Sequence, residues 1–179
     1  MNRLFLYLAM LALVALSGCA TMTVEECKVA RWSDVGLRDG MEGQPMSKLN
    51  DLVKDCAEAK IAVDTPSYVR GRDQGLMTYC QLGNAGRLGL DGKSYYGVCP
   101  ASIDGEFRRR HGMGREVHDA RQQVRSLDSR RIDLENRLRS ANSDDARRKL
   151  REELSDNDRN LRRARDRVRD AEWAFDRLR

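Results

Sequence analysis

Through the last part of the chain, apolar side chains recur at alternating spacings of three and four. Val117, Ala120, Val124, Leu127, Arg131, Leu134, Leu138 and Ala141 form one such series. Leu150, Leu154, Asn157, Leu161, Ala164, Val168, Ala171, Phe175 and Leu178 form another. This is the a/d seam of a coiled coil. The two series do not share one register, and Asn142-Ser143-Asp144-Asp145 between them supplies turn and N-cap residues. The pattern predicts an antiparallel helical hairpin that turns near Asp144. Folding the chain back pairs Leu138 with Leu150, Leu134 with Leu154, Leu127 with Leu161 and Val124 with Ala164. It also sets the two polar seam residues, Arg131 and Asn157, opposite each other, where a matched polar pair fixes register. Among flanking charges, Glu135 with Arg151 and Arg137 with Glu153 should attract, whereas Asp128 faces Asp158 and Arg121 faces Arg165. Phe175 and Leu178 have no mates on the first arm, so they are expected to dock near Met113 or against the disulfide-bonded domain.

Before the hairpin the helical pattern is shorter and interrupted by glycine. Helices are expected over Val24 to Leu37, over Ser47 to Ala59 and from Pro66-Ser67 to Cys80. Ser47 is placed to cap the second, with Leu49, Leu52, Val53 and Cys56 at helical spacing. Gln81 to Pro100 is Gly-rich and reads as irregular, and Phe107 starts the long helical region. Trp32-x3-Gly36-x3-Gly40 and Tyr68-x2-Gly71-x3-Gly75 form a weak repeat. Glycine within a helix costs ~1 kcal/mol against alanine, so such pairs signal close backbone packing. The expected fold is mainly α: a small disulfide-stapled helical domain with a Gly-rich irregular segment, residues 24–105, followed by a charged antiparallel coiled-coil hairpin, residues 106–179.

The N-terminus adds a destination. Arg3 is followed by an apolar run from Leu4 to Leu16, shorter than the ~20 residues a membrane-crossing helix needs, so residues 1–18 read as a signal peptide. Leu16-Ser17-Gly18-Cys19 has the form of a bacterial lipobox, in which acylated Cys19 becomes the first mature residue. Acyl chains contribute ~0.8 kcal/mol per buried methylene, enough in pairs to hold a protein on a membrane. Ala20 rather than an Asp retention residue follows, which points to the outer membrane, facing the periplasm, with residues 19–23 as a short tether. In that oxidising space Cys27, Cys56, Cys80 and Cys99 are expected to form two disulfides. Of the three connectivities, Cys27–Cys56 and Cys80–Cys99 join sequence-adjacent segments.

A string of Cys, Gly and aromatic positions carries a resemblance. Cys27, Trp32, Gly36, Asp39-Gly40, Gly43, Cys56, Tyr68, Gly71-Arg72, Gly75-Leu76, Tyr79-Cys80, Gly89, Gly92, Tyr95 and Gly97-Val98-Cys99-Pro100 resemble the bacterial lipoproteins grouped as domain of unknown function 2799. The resemblance covers about residues 24–115 and implies a lipid-anchored envelope protein. It brings no activity, substrate or active-site residues.

Chemistry is sparse by comparison. Aromatic residues make up 6% of the 179, which disfavours a deep aromatic-lined pocket. Gly92-Lys93-Ser94 mimics the end of a phosphate-binding loop, but Arg87 stands where that loop needs glycine. His111 and His118 are the only histidines, and no Asp or Glu completes a metal set with them; no cofactor is expected. Asp34, Asp39 and Glu42 read as solvated helix charges rather than paired catalytic carboxylates. No G-x-S-x-G elbow exists. From Glu106 onward there are 22 Lys and Arg against 16 Asp and Glu, a net +6 within the chain's +5. Nucleic acid is not a neighbour of an envelope lipoprotein, so it is not an expected partner. The sequence therefore reads as a non-enzymatic lipoprotein whose coiled coil contacts an envelope protein or a second copy. The alternative is an anionic-polymer or lipid binder, for lipopolysaccharide or peptidoglycan, acting through its arginine-rich helices.

Overall fold

The computed structural model describes residues 22–178; the signal segment and Cys19 lie outside the described residues. Among these residues there are helices and no strands: α1 Val24–Val29, α2 Trp32–Met41, α3 Ser47–Glu58, α4 Thr65–Tyr79, α5 Leu82–Leu90, α6 Ala101–Ser140 and α7 Asp144–Asp176. The chain divides into two compact units between Leu76 and Met77, inside the last turn of α4. This differs from the expected boundary at 105/106, because α5 packs along α6 and α6 runs unbroken from Ala101 to Ser140.

The first unit contains two helices where one was expected over Val24 to Leu37. Thr23 and Glu26 form a reciprocal capping box for α1, and extended backbone at Ala30 and Arg31 ends it and redirects the chain into α2. The Cys27–Cys56 disulfide ties α1 to α3. Ser47 is the first residue inside α3 rather than its cap; Met46 occupies the cap position, with no side-chain bond. Leu49, Leu52 and Cys56 are buried, but Val53 is exposed, since a helix one face deep has room for only one stripe. Val35, Leu49, Leu52 and Tyr68 make the core.

Here α2 crosses α4 at backbone contact. A Cβ at Gly36 would stand 2.0 Å from the Tyr68 carbonyl oxygen, and one at Gly71 would stand 1.9 Å from that of Ser33. Gly40 and Gly75 repeat this against Arg72 and Leu37. The two Gly-aromatic stretches of the sequence are thus the two sides of a single crossing.

Its second copy lies in the other unit, between α5 and α6. A Cβ at Gly89 would meet the His111 carbonyl oxygen at 2.1 Å, and one at Gly114 that of Gly86 at 2.2 Å. Arg38-Asp39-Gly40-Met41-Glu42-Gly43-Gln44 corresponds to Arg87-Leu88-Gly89-Leu90-Asp91-Gly92-Lys93, and Tyr68, Arg72 and Gly75 to Phe107, His111 and Gly114. Both α2 and α5 end in the same Schellman turn, with Gly43 at φ 69° and Gly92 at φ 71°. The Gln44 N–H donates to the Asp39 carbonyl at 2.9 Å, and the Lys93 N–H to that of Leu88 at 3.0 Å. The region expected to be irregular therefore contains a helix. Gly86 and Gly89 are where a second helix comes close.

The second unit also holds the hairpin. Ser140 ends α6, and Ser143 caps α7 by accepting from the Ala146 N–H at 3.2 Å. Leu134, Leu150, Leu161 and Ala164 are buried along the seam. Phe175 lies against Gly86 of α5, and Leu178 lines the same recess, so the unmated end of α7 packs on the glycine surface of α5. The second disulfide, Cys80–Cys99, spans 19 positions beside stacked Tyr79, Tyr95 and Phe107.

Two charge expectations change. Arg131 and Asn157 do not bond each other. The Asn157 amide donates to the Leu127 carbonyl at 3.0 Å and its Oδ1 is buried without a hydrogen-bond partner, while Arg131 Nε reaches along its own helix to Glu135 Oε1 at 3.5 Å, an ion pair without hydrogen-bond geometry. The residues expected to face like charges meet opposite ones: Arg165 reaches Asp128 at 3.4 Å and Arg121 reaches Glu172 at 2.6 Å, while Arg130 contacts Glu153 at 4.0 Å. Long side chains on the two antiparallel helices lean toward each other, so each partner stands seven positions, about two turns, from the residue that the sequence set opposite.

Candidate functional site

In the first unit the crossing encloses a polar cluster. Asp39 is 5% and Arg72 6% exposed, and Tyr68 is fully buried. The Tyr68 hydroxyl donates to Asp39 Oδ2 at 2.8 Å, and Arg72 Nη2 donates to the Gln44 carbonyl at 2.8 Å. Burial, and then the bond to Asp39, push the Tyr68 phenol far above its ordinary range, so it remains a donor and has no role as a base. The copy in the second unit places Leu88, Phe107 and His111 at these positions. A crossing that forms with leucine and phenylalanine does not require a buried Asp–Tyr pair, and buried charge is costly. The polar version instead sets the rim of a cleft of about 180 Å³, where Arg38 and Lys48 face Glu26, Asp39 and Glu42. This cleft presents charges of both signs but no nucleophile held by a base. Asp34 pairs with Arg31 at 3.0 Å and takes no part.

In the second unit the polar side chains hold backbone. His111 Nε2 meets the Lys93 carbonyl at 2.8 Å, at the position where Arg72 meets that of Gln44. His118 Nδ1 meets the Leu90 carbonyl at 3.0 Å, and Arg115 donates to that of Gly92 at 2.9 Å. The last carbonyl of α5 and two of the turn that follows it are thereby bonded by three side chains of α6, a favourable place for cationic or donor groups. The two histidines do share a face, and that face is spent on a helix end. Gly92-Lys93-Ser94 sits at this C-terminus, the opposite end of a helix from the one that cradles phosphate. Among the described residues no group of three or more His, Cys, Asp or Glu could hold a metal ion.

A second network braces the disulfide loop. Tyr95 donates to Asp104 at 2.5 Å and accepts from the Cys99 N–H at 3.1 Å, and Arg108 donates to Asp104 at 2.7 Å while lying 5.2 Å over the Tyr95 ring. Burial and the Asp104 bond push the Tyr95 phenol up to about 12. Sequence reasoning did not find this network; Asp104 and Arg108 at i, i+4 were its one visible sign.

The hairpin offers a further surface feature. Between α6 and α7, Ala120, Ala171 and Ala174 leave a shallow groove of about 510 Å³, rimmed by Glu116, Asp119 and Asp170 with Arg167. Small side chains in the seam keep the helices from filling it. None of the helices among the described residues is long and apolar enough to cross a membrane.

No curated protein and no solved structure matches the chain. The matched family segment begins at α2 and ends within α6, so it takes in both glycine crossings and leaves the hairpin beyond it. Residues 31–116 match the family model described as protein of unknown function (DUF2799), and this stretch is a domain of that family.

Proposed function

We propose that this chain is a non-catalytic, lipid-anchored envelope protein, held at the outer membrane through Cys19, whose hairpin receives a helix of a partner protein. The observation that carries this reading is the open groove at Ala120, Ala171 and Ala174. Small residues admit a close third helix, and a rim of three acidic residues against one arginine favours an apolar stripe flanked by Lys or Arg. Two disulfides support an oxidising compartment, and the lipobox form of residues 16–19 supports the anchor. The polar networks of both units support a structural role, since Arg72 and His111 each bond the carbonyl that follows a Schellman turn and Tyr95 bonds the disulfide loop.

In-cell photocrosslinking tests this. A photoreactive residue at Gln123 or Ala174, in the groove, should give a discrete adduct with one envelope protein, and the same probe at Arg159, outside it, should not. Replacing Cys19 by Ser should leave an unprocessed precursor and abolish the adduct. Equal adducts from all positions would overturn the groove reading. Normal maturation of the Cys19→Ser chain would overturn the anchor.

A further inference from the structure

We infer that the outward face of the C-terminal half of α7, centred on Trp173, rests on an anionic phospholipid surface. Trp173 is 63% exposed, although tryptophan is the side chain that gains most from leaving water. It stands between the seam residues Ala171 and Phe175, so it projects from the far side of the helix and does not line the alanine groove. Arg177 lies one turn on, its guanidinium carbon 4.7 Å from the ring centroid, and Arg169 lies one turn back. Arg162 continues the same stripe. From Arg159 to Arg177, α7 carries seven arginines and four acidic residues.

Of those acidic residues, Asp166 is engaged by Arg169 at 2.9 Å and Glu172 by Arg121. Among the described residues, Arg162 and Arg177 form no ion pair. An amphipathic ring with arginines on either side is the arrangement that sits at a bilayer's headgroup level, where the indole takes the apolar edge and the long guanidinium stems reach phosphate. Charge selects which bilayer. Basic residues gain from an anionic surface an attraction that a neutral surface does not offer.

The probe is Trp173 itself, because Trp32 is the only other tryptophan. The full chain carrying Trp32→Phe would be mixed with vesicles of phosphatidylcholine alone or with phosphatidylglycerol added. Phosphatidylglycerol should shift Trp173 emission to the blue and allow quenching by brominated acyl chains, and 0.5 M salt should reverse both. Arg169→Gln with Arg177→Gln should remove most of the shift. If Trp32→Phe impairs folding, the difference between the native chain and Trp173→Phe gives the same reading. Emission unchanged on phosphatidylglycerol, or equally shifted on phosphatidylcholine, overturns the inference. A shift with lipopolysaccharide micelles or free inorganic phosphate but not phosphatidylglycerol overturns it too. The readout is local to this face, so its failure leaves the Cys19 anchor and the groove to their own tests.

Discussion

Replacing Gly71 by alanine tests whether backbone contact holds the α2–α4 crossing. The new Cβ would stand 1.9 Å from the Ser33 carbonyl oxygen, with the carbonyl carbon at 2.8 Å. A carbon–oxygen contact needs ~3.3 Å, so the helices must part by more than ~1 Å there. A gap of that size forfeits about a quarter to a half of each dispersion contact along the crossing. Overpacking costs ~1–3 kcal/mol, and because both obstructing atoms are backbone no rotamer can relieve it, which places the cost at the upper end. Alanine returns ~1 kcal/mol of helix propensity. The net expectation is a loss of about 2 kcal/mol or more, and a fall in Tm of roughly 4–8 °C. Gly112 on α6 is the control, since a Cβ there meets nothing within 4 Å. Gly112→Ala should gain up to ~1 kcal/mol. Thermal and urea unfolding of the oxidised protein, followed by circular dichroism, reads both. If Gly71→Ala matches Gly112→Ala in sign and size, the crossing is not held by backbone contact and the account given for its copy at Gly89 and Gly114 fails with it.

Asn157 is buried and its Oδ1 has no partner, so Asn157→Leu should raise Tm by removing a desolvation cost of ~1–3 kcal/mol; a lower Tm would mean that the bond to the Leu127 carbonyl outweighs that cost. The Tyr95 phenol titrates at about 12 when folded, above the ordinary value of 10, so its contribution to stability is whole below pH 10 and is lost as pH rises toward 12. Tyr95→Phe should flatten that alkaline decline in urea titrations run at pH 9, 10 and 11; an unaltered decline would place its origin elsewhere.

Local pattern was enough for the hairpin. An a/d seam broken at residues 142–145 permits one economical arrangement, because the same alternation of three and four specifies both which residues are buried and where register changes. The helices over Ser47 and Pro66 were legible for the same reason, and adjacency in the chain pointed to the disulfides that the fold contains. Glycine spacing announced close packing, yet not what packs on what. Gly36 and Gly71 belong to opposite sides of one crossing, and the true copy, residues 87–93 with Phe107 and Gly114, shares few residue types with it. Helix α5 was hidden because its three glycines oppose helix by propensity; only the backbone of α6 and the ring of Phe175, both distant in sequence, make the lack of a side chain favourable at Gly89 and Gly86. The partners of Asp39, Arg72, His111, His118 and Tyr95 were equally beyond local pattern. Each meets an atom between 4 and 29 positions away, and its partner is selected by which helices touch. Sequence periodicity thus determined the elements and the hairpin, whereas the choice of which polar groups are buried together belonged to the tertiary structure, because burial is a property of surfaces that the chain brings together only when folded.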